Sequence, residues 1–329
     1  MILMLHISDL HFVQNANAYN TEAIIFKEAT EKAQQIPLGE KLLIVTGDFH
    51  NFTDKDYEKA NIFVPQLCEC MGIDIKQDVF IIPGNHDVGN EDTLSKYLAP
   101  TIPNWKLENR AFVQMLKQKN LEYVSSRLRA FRPYNQFAQG LGIYDVTQGE
   151  DYPSETHVRN WRGKLNILHL NTALIADGTT KTGQITDTTS AASNDTWKGK
   201  YDTNIPAIAI GHNNYYDLDE TQRRELATTF ALRNVSAYLC GDTHLTETNP
   251  ERQMIRLESG HHKGEEIPNI VAARGIADGK DLYSEVGFCW HQWDENTGEV
   301  SVVFRKWTPF NLAKTTKNGE DGQYFMRRC

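Results

Sequence analysis

The chain has 329 residues, with Lys plus Arg at 34 and Asp plus Glu at 43 for a formal charge of -9, a length that buries a sizeable core as one large domain or two. The acidic balance excludes a coat of nucleic acid over most of the surface, and no apolar run approaches the ~20 residues that cross a bilayer. Five scattered cysteines (Cys68, Cys70, Cys240, Cys289, Cys329) exclude a disulfide framework; with Met1 to Leu5 too short for a signal segment, a soluble cytoplasmic protein without membrane partners is expected.

Met1 to Ile7 reads as a strand ending at Asp9-Leu10-His11. Thr21 to Gln35 spaces Ile24, Ile25, Ala29 and Ala33 for a helix, and Lys41 to Val45 is a short β-branched strand that delivers Gly47-Asp48. Asp54 to Met71 is helical, with Pro65 expected to kink or shorten it. Val79 to Ile82 then runs into Pro83, followed by Gly84-Asn85-His86-Asp87. Continuous apolar strands separated by helices indicate a sheet buried on both faces.

From 90 to 160 the pattern turns helical without strands. Phe112, Met115 and Leu116, then Leu121, Val124, Leu128 and Phe131, form the amphipathic stripes of an inserted cap. Seven basic residues (Lys106, Arg110, Lys117, Lys119, Arg127, Arg129, Arg132) face two acids (Glu108, Glu122) there; they form either a solvated outer face or a wall that attracts phosphate. Leu165 to Leu170 resumes the strands, and the Thr- and Ser-rich tract Asp177 to Asp202 reads as a lid or a disordered loop. Ile205 to Ile210 leads to Gly211-His212. Leu218 to Arg233 is a helix capped by Asp217 or Asp219, and Ala237 to Leu239 delivers Gly241-Asp242-Thr243-His244. Beyond 250 the signal is β, with Asn269 to Ala273 and a hairpin of Val286 to Asp294 and Val300 to Trp307.

The polar clusters therefore emerge together where strands end, the place open α/β sheets use for ligands. Asp9, His11, Asp48, Asn85, His212, Asp242 and His244 offer carboxylate, imidazole and amide oxygen, a set suited to Zn, Mn, Fe or Mg. Seven side chains are too many for one ion. They suit two divalent ions sharing one carboxylate, a pair ~3.5–4 Å apart that clamps a phosphoryl group and activates the hydroxide between them. His86 and Asp87 are the catalytic candidates: an imidazole can protonate a leaving oxygen, and Asp87 beside it could fix the tautomer. His6 and His169, inside apolar strands, read as core histidines; His261 and His262 as exposed; Tyr215 and Tyr216, Trp290, Trp293 and Trp307 as packing; and His50 and Asn51 as pocket lining.

In these motifs, ordered from Asp9 to His244, the chain resembles the calcineurin-like metallophosphoesterases. The resemblance implies an α/β four-layer sandwich, two mixed β-sheets flanked by helices, as a single domain over 1–329 with the helical cap at 90–160. Residues 250–310 would complete the second sheet. It implies that Asp9, His11 and His244 bind one metal, that Asp48 bridges, that Asn85, His212 and Asp242 bind the other, and that His86 contacts the scissile phosphate. One position departs from the pattern. Where the family usually has Gly-His-x-His, this chain has Gly241-Asp242-Thr243-His244, and a carboxylate replacing an imidazole makes the centre less positive and shifts preference from Zn towards Mn or Mg. The alternative is that Asp242 does not reach the second metal.

The expected activity is hydrolysis of phosphodiesters, a nuclease ahead of a cyclic-nucleotide phosphodiesterase, with nucleic acid or a nucleotide as the partner. A phosphomonoesterase and a catalytically silent binding scaffold are the alternatives. An attached sensing or ATPase domain, or an oligomer, would fit a chain that ends after Arg327-Arg328-Cys329.

Overall fold

β1 (Ile2–Ile7) is apolar at almost every position because both of its faces are covered. Leu3, Leu5 and Ile7 point to one core, while Ile2 and Met4 point to another, the alternation a strand imposes. The computed structural model describes residues 1–12, 21–37, 39–50, 57–89, 128–174, 201–218, 220–244, 247, 249–276, 286–294, 299–307 and 322–325. The following strands are β2 (Lys41–Thr46), β3 (Val79–Ile82), β4 (His157–Trp161), β5 (Leu165–Leu170), β6 (Ala207–Gly211) and β7 (Val235–Cys240). They are completed by β8 (Met254–Arg256), β9 (Glu266–Val271), β10 (Val286–Trp293), β11 (Glu299–Trp307) and β12 (Gly322–Phe325).

They form two six-stranded sheets, ordered β12-β11-β10-β1-β2-β3 and β4-β5-β6-β7-β9-β8. Both are mixed. In the first, β1, β2 and β3 run parallel while β10 is antiparallel to both of its neighbours, β1 and β11; in the second, β5, β6, β7 and β9 are parallel between antiparallel edges. Helices α1 (Thr21–Ala33), α2 (Glu58–Met71) and α4 (Arg132–Gly140) cover the outer face of the first sheet through Ile25, Phe63, Leu67, Tyr134 and Phe137. Between α2 and α4 lies the one-turn α3 (Ile75–Asp78), and α5 (Glu220–Leu232) covers the second sheet through Leu226 and Phe230. A third core, with Met4, Ile44, Phe80, Ile167, Ile210 and Leu239, fills the space between the sheets. The layers are helix, sheet, sheet, helix, as expected.

Several details differ from the expectation. The hairpin β10–β11 joins the first sheet on the free edge of β1, Leu5 opposite Trp290 and His6 opposite Cys289; only β8 and β9 join the second. Both faces of β10 are buried, so its pattern carries no mark of which sheet receives it. The stretch read as a strandless cap ends in β4, an edge strand of the second sheet, and α4 packs into the first core; residues 90–127 of that cap, with five of its basic side chains, lie outside the described residues. So do 177–200 of the Thr- and Ser-rich tract, as well as Asn51 and Asp219. Pro65 does not end α2, whose buried positions continue on both sides of it. Asp217 ends the short turn Tyr215–Asp217 ahead of α5, and its carboxylate accepts from Arg252 Nη2 at 2.7 Å.

At the far end of the sandwich, Asp78 fastens one sheet to the other. Its Oδ1 accepts from Trp161 Nε1 and Arg162 Nε, both at 2.8 Å, and its Oδ2 from Arg162 Nη2 at 2.9 Å. Among the described residues no helix is long and apolar enough to cross a membrane.

Candidate metal centre

The parallel strands β1, β2, β3, β6 and β7 end on one side of the sandwich, and each is followed by candidate donors. The chain leaves these strands by sharp turns. Asp9 (φ 53°), His11 (41°), Asp48 (56°), Asp242 (67°) and His244 (59°) are all left-handed, a conformation that costs a residue with a Cβ of order 1 kcal/mol. What holds them is packing on either side: Leu10 and Phe12 alternate with Asp9 and His11 and are buried in the helix-side core, while Asp9 N donates to the Gly47 carbonyl and His11 N to that of Asp48.

The structure brings all seven candidates together in two sets that share Asp48. In one, Asp9, His11, Asp48 and His244 point ligand atoms at a common volume, every pair within 4.8 Å. His11 Nε2 is 2.9 Å from His244 Nε2 and 3.5 Å from Asp48 Oδ2, and His244 Nε2 is 3.4 Å from Asp9 Oδ1. In the other, His212 Nε2 lies 2.8 Å from Asn85 Oδ1, 3.4 Å from Asp48 Oδ2 and 3.5 Å from Asp242 Oδ1. Asp242 thus faces the second set, and Asn213 Nδ2 donates to its other oxygen at 2.9 Å.

Glycine is required at the points of closest approach. A Cβ on Gly84 would sit 2.1 Å from Asp48 Oδ1, and one on Gly241 would sit 1.7 Å from Ser8 Oγ and 2.5 Å from Asp9 Oδ2.

The electrostatics fit cations. Burial holds the His11 imidazole down to about 3, so it is neutral, the form that offers a lone pair. Burial pushes Asp9 up, but His244 and then His212 outweigh it and keep the carboxyl at about 2. Burial would likewise lower His212, yet the carboxylates of Asp48 and Asp242 raise it well above the ordinary imidazole value. Positive charge is therefore wanted where Nε2 points. Its Nδ1 lies 2.7 Å from the Thr46 carbonyl, which can only accept, so Nδ1 carries a proton and Nε2 is the atom left for a ligand bond. Asp9 Oδ1 is buried without a hydrogen-bond partner, as expected of an atom meant for a cation. The residues present fit a pair of metal ions.

His86 reaches the same place from β3. Its N–H donates to Asp48 Oδ1 at 2.8 Å, its ring lies edge-on to His11 with centroids 4.8 Å apart, and a quarter of its side chain is exposed. Asp87 does not orient it. The Asp87 carboxylate is fully buried and accepts from Asp48 N at 2.7 Å, Gly84 N at 2.9 Å, Phe49 N at 3.2 Å and the Tyr57 hydroxyl at 3.0 Å. It ties the loops after β2 and β3 to each other, which corrects the catalytic role expected for it. Thr46, Asn213 and Thr172 also belong to the site although no motif marks them; the Thr172 hydroxyl accepts from the backbone N–H groups of His212 and Asn213 at 3.0 Å. Thr172 follows a buried strand as the ligands do, which is the signal that could have found it. Of the other residues singled out, His50 and Tyr215 are buried, and His261 and His262 lie in a short turn, the first exposed and the second half-buried.

A model of the calcineurin-like phosphoesterase family matches residues 2–245. The uncharacterised metallophosphoesterase-like protein YydB of Bacillus subtilis is 24% identical over 339 residues, which cover 98% of this chain; the chain spans 63% of that relative's length. Solved structures with weaker likeness include a dimetal phosphatase from Danio rerio (8% identity, 99% of each chain, TM-score 0.47) and a 5'-nucleotidase precursor from Thermus thermophilus (12% identity, 95% of this chain and 57% of that one, TM-score 0.40). Because the family model spans most of the chain, from β1 to the last candidate donor, the chain belongs to the calcineurin-like phosphoesterases, a family of metal-dependent phosphoester hydrolases.

Proposed function

We propose that this centre hydrolyses phosphodiesters, a polynucleotide backbone ahead of a cyclic nucleotide. The observation that carries the reading is the position of Asp48 Oδ2, 3.5 Å from His11 Nε2 and 3.4 Å from His212 Nε2, between two sets of donors. Asp9, His11 and His244 would hold one divalent ion, Asn85, His212 and Asp242 the other, and Asp48 both. Ions bound there supply Lewis acidity towards a phosphoryl oxygen and a water acidic enough to attack at neutral pH.

The chain's own side chains do the remaining work. Thr46 fixes the His212 tautomer, Asn213 aims Asp242, and Asp87 holds Asp48 through its backbone N–H. His86, at the open side of the cluster, gives the leaving oxygen its proton. Asp242 in place of an imidazole favours Mn over Zn and suits the single charge of a diester better than the double charge of a monoester. The basic residues of the cap point the same way, towards a chain of phosphates; Arg129 and Arg132, the two that are described, are exposed.

The discriminating assay compares bis-p-nitrophenyl phosphate with p-nitrophenyl phosphate in the presence of Mn, Mg or Zn. Preference for the monoester would establish the phosphomonoesterase reading instead, and no turnover with any of the three would support a binding scaffold. His86→Ala should lower turnover by about 10²–10⁴ with metal content unchanged; loss of both metals in that variant would remove His86 from the role of proton donor.

A further inference from the structure

A second group of metal-capable side chains lies inside the protein, apart from the seven donors above. His6 on β1 and Cys289 and His291 on β10 bring their ligand atoms within 4.8 Å of one another, and all three are buried. The strand register explains the grouping. In the antiparallel pair of β1 and β10, His6 stands opposite Cys289 and Met4 opposite His291, so the period of two puts Met4, His6, Cys289 and His291 on one face as neighbouring cross-strand pairs. That face looks into the core between the sheets, where Met4 and Cys289 pack with Ile44, Phe80 and Ile210.

Two imidazoles and a thiol are a poor choice for apolar packing alone. His6 Nδ1 and His291 Nε2 are buried with no hydrogen-bond partner, each at a cost of about 1–3 kcal/mol. The Cys289 thiol is in no disulfide. The other nitrogen of His6, Nε2, lies 3.0 Å from Thr46 Oγ1, the outer hydrogen bond that a metal-bound imidazole normally makes.

We propose that Cys289, His6 and His291 form a buried site for a soft metal ion, Cu(I), with the Met4 thioether on the same face. Softness follows from the thiol and thioether. Charge favours the monovalent ion: binding releases the Cys289 proton, and one thiolate with Cu(I) makes a neutral complex, whereas Zn(II) would leave a net positive charge among apolar side chains. The donors would have to draw together by roughly 1 Å to reach ordinary metal–nitrogen and metal–sulfur bond lengths, a movement rotamer adjustment can supply. Thr46 joins the two centres, since its hydroxyl meets His6 and its carbonyl meets His212 Nδ1.

The test is anaerobic titration of the full chain with Cu(I) against the chelator bicinchoninate, followed by X-ray absorption at the copper edge. The phosphoesterase donors are nitrogen and oxygen only, so copper held there would show no sulfur neighbour. The expected result is one retained equivalent with one short sulfur and two nitrogen neighbours, and retention weaker by about 100-fold or more in Cys289→Ser and in His291→Gln, with the far-UV circular dichroism of the parent. If a variant fails to fold, the neighbour count of the unaltered protein decides. Absence of a sulfur neighbour, or its survival in either folded variant, overturns the site. Tighter retention of Zn(II) than of Cu(I) by the same three residues overturns the choice of ion.

Discussion

Replacing Asp87 by Asn separates a catalytic carboxylate from one that positions the loops. Asp87 Oδ2 takes the N–H groups of Asp48 and Gly84, while Oδ1 takes Phe49 N and the Tyr57 hydroxyl. An Asn oxygen in place of Oδ2 keeps the first two bonds without their charge assistance, and its amide can donate to the Tyr57 hydroxyl, which rotates to accept. Each charge-assisted bond that becomes neutral loses about 1 kcal/mol. Burial already pushes the Asp87 carboxyl above the usual range, so a neutral side chain recovers part of that loss, and the net cost is about 1–2 kcal/mol. Asp87→Ala leaves three backbone N–H groups facing no acceptor and should cost roughly 3–5 kcal/mol. Thermal unfolding and the pH dependence of turnover are the measurements. Asp87→Asn should lower Tm by a few degrees, retain turnover within about tenfold and leave the pH profile in place, with Asp87→Ala far less stable. If Asp87 oriented the His86 imidazole, its amide would misplace the tautomer and turnover would fall by as much as ~10⁴ at unchanged Tm; that outcome refutes the positioning role.

Gly84→Ala puts a methyl group 2.1 Å from Asp48 Oδ1. The shared carboxylate must then move by about 1 Å, and turnover should drop by about 10² with metal more easily dialysed away. Gly140→Ala, whose Cβ meets nothing within 4 Å, is the control, and parent-level metal and turnover in Gly84→Ala would defeat the argument. Asp78→Asn should cost about 1–3 kcal/mol in urea unfolding, discounted because Arg162 is a third exposed. Burial pushes the Asp78 carboxyl up, but the hydrogen bonds from Arg162 and Trp161 outweigh it and hold it below the usual value. A depressed carboxyl stabilises the fold above its unfolded value of about 3.9 and loses that contribution as the pH falls through the folded value. The gap between parent and variant should therefore shrink on going from neutral pH to about pH 3; a constant gap would show that the carboxylate's charge contributes nothing.

The parts of this molecule that were legible in the sequence are those with one dominant cause. β1, β2, β3 and β7 are mostly apolar runs because both faces are covered, and a polar cluster follows each within two or three residues because the site begins there. The same cause hid the place of β10: Trp290 faces the helix-side core and Cys289 the core between the sheets, and nothing in such a pattern tells one sheet from the other. β4 was missed because its burial varies along its length, with Arg159 and Asn160 not fully covered. The role of Asp87 was misread because adjacency in sequence to His86 suggested contact. The turn after β3 sends neighbouring side chains opposite ways, His86 towards the opening and Asp87 beneath Asp48, and only the hydrogen bonds across the loops decide between them.

The left-handed turns connect that legibility to function. Among the described residues seven non-glycine positions have positive φ, and five of them are candidate donors. Such strain persists only where the surroundings fix the backbone, and here the surroundings are the most buried parts of both sheets. Leu10, Phe12 and Phe49 are sealed in the first core beside Asp9, His11 and Asp48, and Gly241 is pressed against Ser8. Donors mounted this way cannot relax away from one another, so carboxylates and imidazoles stay crowded at distances that only positive charge makes favourable. The carboxylates of Asp48 and Asp242 raise the His212 imidazole well above its ordinary value, which expresses that demand. A divalent ion then meets a site already in place, and the packing of the two sheets has met the cost of assembling it.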